Sequence, residues 1–172
     1  MESPSRRDDQ GAGCCSSDAA PVPAQPQRSA CPACSAQGKA VSVATVRALL
    51  RTSLRAVTHT AYHFCATPDC PVVYFTFDGG QHFTADQLRE RVFQKAPAEP
   101  AALVCYCFQY TRKAVQQADA STHAQIVADI TAGVQAGQCA CDIRNPQGSC
   151  CLGNVRRLVT SLQSEQRLAE SR

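Results

Sequence analysis

Cys139-Ala-Cys141-Asp-Ile-Arg-Asn145-Pro146-Gln-Gly148-Ser-Cys150-Cys151, taken with Cys105-Tyr-Cys107 upstream, is the stretch that decides the reading of this chain. Cysteines at this density exceed what core packing uses and read as metal-binding thiolates. Pro146 sets its own φ and biases Asn145 toward extended backbone, while Gly148 can take positive φ. The loop is therefore expected to fold back so that Cys141 and Cys151 meet one centre, with backbone N–H groups left free to point at sulfur.

Outward from this loop, the whole chain holds 12 cysteines in 172 residues. The N-terminal Met1-Glu-Ser-Pro-Ser-Arg-Arg has no apolar h-region after it, and no segment approaches the roughly 20 apolar residues of a spanning helix. A soluble, cytoplasmic protein without a membrane span is expected. In a reducing compartment, paired cysteines mean metal or redox chemistry more often than disulfides. The 17 Lys and Arg against 14 Asp and Glu leave +3. Metal-bound thiolates would bring even that close to zero, so no nucleic-acid partner is expected. The sequence shows no nucleophile with a partnered base, no P-loop and no paired carboxylates, so bond-making catalysis is not expected either.

The fold class expected is α+β, in three parts. Residues 1–29 carry Pro4, Pro21, Pro23 and Pro26 without apolar periodicity and read as a disordered tail. Its adjacent Cys14 and Cys15 are either thiols without a role or a site able to take a soft ion such as Cu(I).

Residues 30–96 read as a small β unit. Cys31-Pro-Ala-Cys34 followed by Gly38 is a metal knuckle, and Cys65-Ala-Thr-Pro-Asp-Cys70 is a second cysteine pair on a turn. Strands are expected around Val41 and Val43, over Tyr62–Phe64 and over Val72–Phe77. Gly79-Gly80 makes a hairpin turn, His82 and Phe83 return, and Leu88–Phe93 closes the sheet. Thr45 is expected to cap a helical turn through Val46, Leu49 and Leu50. Two cysteine pairs on turns beside strands match a closed, four-thiolate zinc site. His63, two residues before Cys65, is a lesser candidate ligand, with a buried structural role favoured because four cysteines suffice.

Residues 97–172 read as a helical unit. Thr111 is the expected N-cap of a helix from Arg112, and Ser121 or Thr122 that of a helix through Ile126, Ile130 and Val134, stopped by Gly137. A final helix carries Leu152, Val155, Leu158, Val159 and Leu162 on one side. Six cysteines, at 105, 107, 139, 141, 150 and 151, compete for the four places at one centre. Two irons bridged by two sulfides need two thiolates each, and Cys105 with Cys107 can serve one iron while two later cysteines serve the other. Zinc accepts the same ligands. The N–H donors of helix starts and of the Asn-Pro-x-Gly turn favour the cluster.

The ordered set Cys31-Pro-x-Cys34 with Gly38-Lys39, Phe64-Cys65, Cys70-x-Val72-Val73-Tyr74-Phe75, Val104-Cys105-Tyr106-Cys107-Phe108 and Cys141-x-x-x-Asn145-Pro146-x-Gly148-x-Cys150-Cys151-Leu152-Gly153 resembles the N-terminal domain of the iron–sulfur type of CopZ copper chaperones. The resemblance spans residues 31 to about 165. It implies a zinc ribbon joined to a [2Fe–2S] unit similar to bacterioferritin-associated ferredoxin. It implies Cys31, Cys34, Cys65 and Cys70 as the Zn²⁺ set and Cys105, Cys107, Cys141 and Cys151 as the [2Fe–2S] set. Cys139, Cys150, Cys14 and Cys15 remain as spare or alternate ligands. The chain departs from such chaperones in having no Met-x-Cys-x-x-Cys copper loop; its one methionine is Met1.

The function expected is one-electron transfer in intracellular copper or metal handling, with a copper transporter, a copper chaperone or an electron donor as partner. The rivals are a metal- or redox-sensing docking module and a structural protein with two Zn(Cys)₄ sites. The two centres are expected to be independent: Cys34→Ser should lower zinc content and folding stability and spare any colour, and Cys107→Ser should remove the colour and leave zinc bound.

Overall fold

A computed structural model describes residues 29–171. The first half is built on a four-stranded antiparallel sheet in the order β1 (Lys39–Val41), β2 (Tyr62–Phe64), β3 (Val72–Thr76), β4 (His82–Thr84). β2 pairs with β3 through Tyr62↔Thr76, His63↔Phe75 and Phe64↔Tyr74, and both strands are buried on both faces. That burial explains their uninterrupted β-branched and aromatic composition. On one face, Val41, Val46, Leu50, Val57, Tyr62, Phe64, Tyr74, Phe83 and Leu88 form one apolar core. On the other, Phe75 packs with Cys31, Cys65, Cys70 and Val72. Gly38 is required where these layers touch, since a Cβ there would lie 2.5 Å from the Phe75 ring and 2.7 Å from the His63 Cβ.

Helix α1 (Val43–Leu49) follows β1 and starts at Ser42, whose Oγ accepts from the Ala44 N–H. Thr45 is therefore inside the helix, not its cap, and its buried hydroxyl is used elsewhere. The expected strand through Val43 also gives way, because Val43 opens α1. Leu88–Phe93 does not close the sheet. β4 is the edge strand, and Leu88 makes only an isolated bridge to Leu50. The chain turns away there through a single-turn 3₁₀ helix, Ala85–Gln87, whose capping box joins Thr84 and Gln87 and ends strand geometry early.

The second half has a two-stranded hairpin, β5 (Leu103–Cys105) and β6 (Tyr110–Thr111), followed by helices α2 (Arg112–Gln116) and α3 (Ala120–Gln135). Two further helices follow, the short α4 (Cys141–Arg144) and the long α5 (Leu152–Glu170). The small hairpin is an addition to the helical unit read from sequence. Thr111 caps α2 as expected, its Oγ1 accepting from the Ala114 N–H. The cap of α3 is Asp119, whose Oδ1 accepts from Thr122 N–H at 2.7 Å, so Ser121 and Thr122 lie inside the first turn. Helix α3 ends just before Gly137, as the sequence indicates. Val104, Val115, Ile126, Ile130, Val155 and Val159 make the core of this half, and the buried Cys105, Cys141 and Cys151 belong to it.

The halves are pinned together. Tyr106 Oη donates to Arg91 O at 2.8 Å and accepts from the Phe93 N–H at 2.9 Å. The Arg112 guanidinium lies 4.5 Å over the Phe93 ring. Helix α1 lies against α4.

Candidate metal centres

The first centre is assembled from two turns on the same end of the sheet. Cys31 and Cys34 sit in a knuckle closed by Cys31 N–H to Ala36 O at 2.9 Å and Ser35 N–H to Cys31 O at 2.8 Å. Cys65 leaves β2 with its N–H on Val73 O, and Cys70 leads directly into β3. The four sulfurs lie within 4.8 Å of one another, with Cys31 to Cys70 at 3.7 Å and Cys34 to Cys65 at 3.6 Å. A tetrahedral ion with Zn–S bonds of about 2.3 Å sets its sulfurs about 3.8 Å apart, close to the 3.7 Å and 3.6 Å separations here, so these residues fit Zn²⁺. His63 takes no part in this group. Its buried ring stacks on Phe75 at 5.6 Å, the structural role favoured from sequence.

Hydrogen bonding from Thr67 Oγ1 and the Ala36 backbone holds the Cys34 thiol down at about 6, while burial pushes Cys70 up to about 12 and raises Cys31. One thiolate is thus ready at neutral pH to capture an ion, and the buried thiols lose their protons only when the ion enters. The sign follows for pH. Between pH 6 and 9, Cys31 and Cys70 are protonated without metal and ionised with it, so zinc should bind at least about a hundredfold more tightly per pH unit, these two thiols alone releasing two protons. Below about 6, the Cys34 proton joins them and the dependence steepens. Competition with a chromophoric zinc chelator across this range measures the slope; a flat profile would show that the thiols are already ionised.

The second set is arranged differently. Cys105 ends β5, Cys107 sits in the β5–β6 turn, Cys141 opens α4 and Cys151 stands at the start of α5. Cys107 Sγ and Cys141 Sγ are 3.6 Å apart. Cys105 has Cys151 as its thiol neighbour: hydrogen bonding from Cys151 holds Cys105 down at about 7 and pushes Cys151 up. The Cys107–Cys141 pair thus takes one sulfur from the hairpin and one from the later loop, whereas the sequence reading sets Cys105 and Cys107 on one iron. Among the described residues, the first four cysteines are the one group of three or more ligand atoms lying within 4.8 Å of one another.

Backbone N–H groups do point at these sulfurs. Ala140 N–H donates to Cys107 Sγ at 3.3 Å, those of Cys107 and Phe108 serve Cys105, and that of Cys151 serves Cys141. The loop between Cys141 and Cys151 folds as its residues dictate. Asn145 is extended at φ −97° and ψ 123°, and Gly148 has φ +63°. Asn145, fully buried, closes the loop through Nδ2 to Ser149 O at 2.7 Å and Oδ1 from the Gln147 N–H at 3.2 Å. Its structural importance was legible only as turn chemistry. Cys139 is half-buried against the helical core, and Cys150 is exposed at the rim. Cys14 and Cys15 lie outside the described residues.

Residues 28–89 match a family model described as a zinc binding domain, that of CopZ. The copper chaperone CopZ of Archaeoglobus fulgidus is 31% identical over 140 residues, covering 81% of this chain and 66% of that protein. The X-ray structure of the Archaeoglobus fulgidus CopZ N-terminal domain superposes with a TM-score of 0.57 at 31% identity, over 75% of this chain and 96% of that one. The chain belongs to the CopZ N-terminal domain family. The α+β architecture of the CopZ domain is shared, and the zinc-binding part of the family pattern is present. This chain spans about two thirds of the chaperone's length. Among the described residues, no helix is long and apolar enough to cross a membrane.

Proposed function

We propose that this CopZ-type chain is a zinc and iron–sulfur protein that passes one electron in metal handling. Residues 30–96 act as a zinc-bound scaffold and residues 97–172 as the redox unit. Cys31, Cys34, Cys65 and Cys70 are the zinc ligands. Cys105 with Cys151 and Cys107 with Cys141 are the ligands of a [2Fe–2S] cluster.

The observation that supports the second assignment is the Cys107–Cys141 sulfur contact at 3.6 Å in a set that does not gather into one four-sulfur group, as a mononuclear zinc site would. A cluster bound there would supply reversible one-electron chemistry. The chain's own residues prepare the site. Burial of Cys105, Cys141 and Cys151 keeps water from the sulfurs, and the N–H donors from Ala140, Phe108 and Cys151 stabilise negative charge on them, which favours the reduced state. Half-buried Cys107 and exposed Cys150 mark the edge where an electron would enter or leave. The copper chaperone relative supports copper as the metal served and a copper transporter, copper chaperone or electron donor as the partner, with Cu(II) reduced to Cu(I) for thiolate carriers.

The test is elemental analysis of anaerobically purified protein for iron, acid-labile sulfide and zinc, with electron paramagnetic resonance after reduction. Two irons, two sulfides and one zinc, with one unpaired spin on reduction, are expected. Two zincs without sulfide, persisting after reconstitution with iron and sulfide, would replace electron transfer by a structural or docking role.

A further inference from the structure

We infer that the zinc unit is the seat of the second metal centre, with Tyr74 and Thr45 as positioning residues that clasp the Cys141–Cys151 loop and thereby set how firmly that centre keeps its metal.

Two hydroxyls reach across from the zinc unit to backbone carbonyls inside the loop. Tyr74 Oη, on β3, donates to Pro146 O at 2.8 Å in a fully buried contact. Thr45 Oγ1, on α1, donates to Asp142 O, one residue after Cys141. Gly148 presses its backbone against the same surface. A Cβ there would lie 3.2 Å from Val41 Cγ1 and 3.3 Å from Thr45 Oγ1. At the rim, Lys39 Nζ donates to Ser149 Oγ at 2.6 Å and Gln94 Nε2 to Gln147 Oε1 at 2.7 Å. A loop of eleven residues carrying two candidate ligands is thus held along most of its length by a unit that supplies no ligand to that centre.

The clasp is tied to the first centre through the strand register. Cys70 is four residues before Tyr74 on the same run into β3, and Cys65 N–H bonds Val73 O beside it. The Phe64↔Tyr74 pairing continues from that bond. With the knuckles closed, the Tyr74 hydroxyl is fixed under Pro146. With them open, the strand ends that aim it are free. Burial pushes the Tyr74 phenol well above its ordinary value, so it stays a neutral donor through the physiological range. Coupling of this kind is reciprocal: metal in the second centre must strengthen zinc retention by the same factor that zinc strengthens retention of the second metal.

The inference depends on the cluster reading above only for the identity of the second metal. In reconstituted full chain, release to excess ethylenediaminetetraacetate is followed by visible absorbance, with zinc and iron measured in parallel. Tyr74→Phe keeps the ring and removes one buried hydrogen bond to the loop, so release from the second centre should be about fivefold to tenfold faster, at unchanged zinc content. Tyr62→Phe is the control, because its hydroxyl bonds Thr58 and Gln81 at the far side of the same core. It should leave release as in the wild type. Thr45→Val tests the other clasp should Tyr74→Phe fail to hold zinc. Wild-type release from both Tyr74→Phe and Thr45→Val would overturn the inference, as would equal acceleration by Tyr62→Phe, which would mean general loosening. If the wild type holds two zincs and no sulfide, the cluster reading falls, and the clasp is read from release of the second zinc by the same variants.

Discussion

Cys34→Ser will lose zinc and unfold the first unit, the largest change expected of any single substitution here. The four strands are short, and the knuckle thiols complete one face of the sheet. Structural Zn²⁺ in comparable four-ligand units contributes about 10–16 kcal/mol of apparent binding free energy, which is folding free energy when no site exists in the unfolded chain. Replacing the one thiol held low, at about 6, also removes the ligand that is ionised before metal arrives. Zinc content near zero and a thermal transition lost or strongly lowered are the expected readings. The structure alters the expectation for colour. Because Tyr74 and Thr45 hold the second loop from this unit, colour should form on reconstitution and then bleach faster than in the wild type. Immediate absence of colour with zinc still bound would instead show that the two sets are exchanged.

Cys107→Ser gives the opposite pattern, full zinc and no stable chromophore. Its sulfur is one of the pair at 3.6 Å and accepts from Ala140 N–H at 3.3 Å, so both a ligand and the contact that seats α4 go together. Exposed Cys150 can be replaced by Ser with retention of any chromophore, whereas Cys151→Ser, at a buried position, should lose it. Iron, sulfide and zinc contents of the three variants decide the matter. A full cluster in Cys151→Ser with loss in Cys150→Ser would shift the ligand register of the loop by one residue.

Turn chemistry and strand composition were readable because they are local. Extended Asn145, positive-φ Gly148, the Thr111 cap, the stop before Gly137 and the strands Tyr62–Phe64 and Val72–Thr76 each depend on a few adjacent residues. The caps read wrongly were also local choices, but between near-equivalent donors. Ser42 precedes Thr45, and Asp119 precedes Ser121, and the earlier residue prevailed in each case. Leu88–Phe93 failed as a strand because the Thr84–Gln87 capping box turns the chain before it.

By itself, then, the sequence determined that two cysteine sets lie on turns in an α+β chain, and that the first set has the ligands of a closed tetrahedral site. Spacing within a turn settles which thiols share a face, and that is a short-range matter. How the second set divides into pairs was decided only by the tertiary structure. The hairpin and the later loop meet only on folding, which brings Cys107 to 3.6 Å from Cys141 across 34 positions. The clasp of Thr45 and Tyr74 on the loop was likewise invisible in sequence. It joins residues 97 and 72 positions apart, and a hydroxyl carries no local mark of a partner that only folding brings within reach.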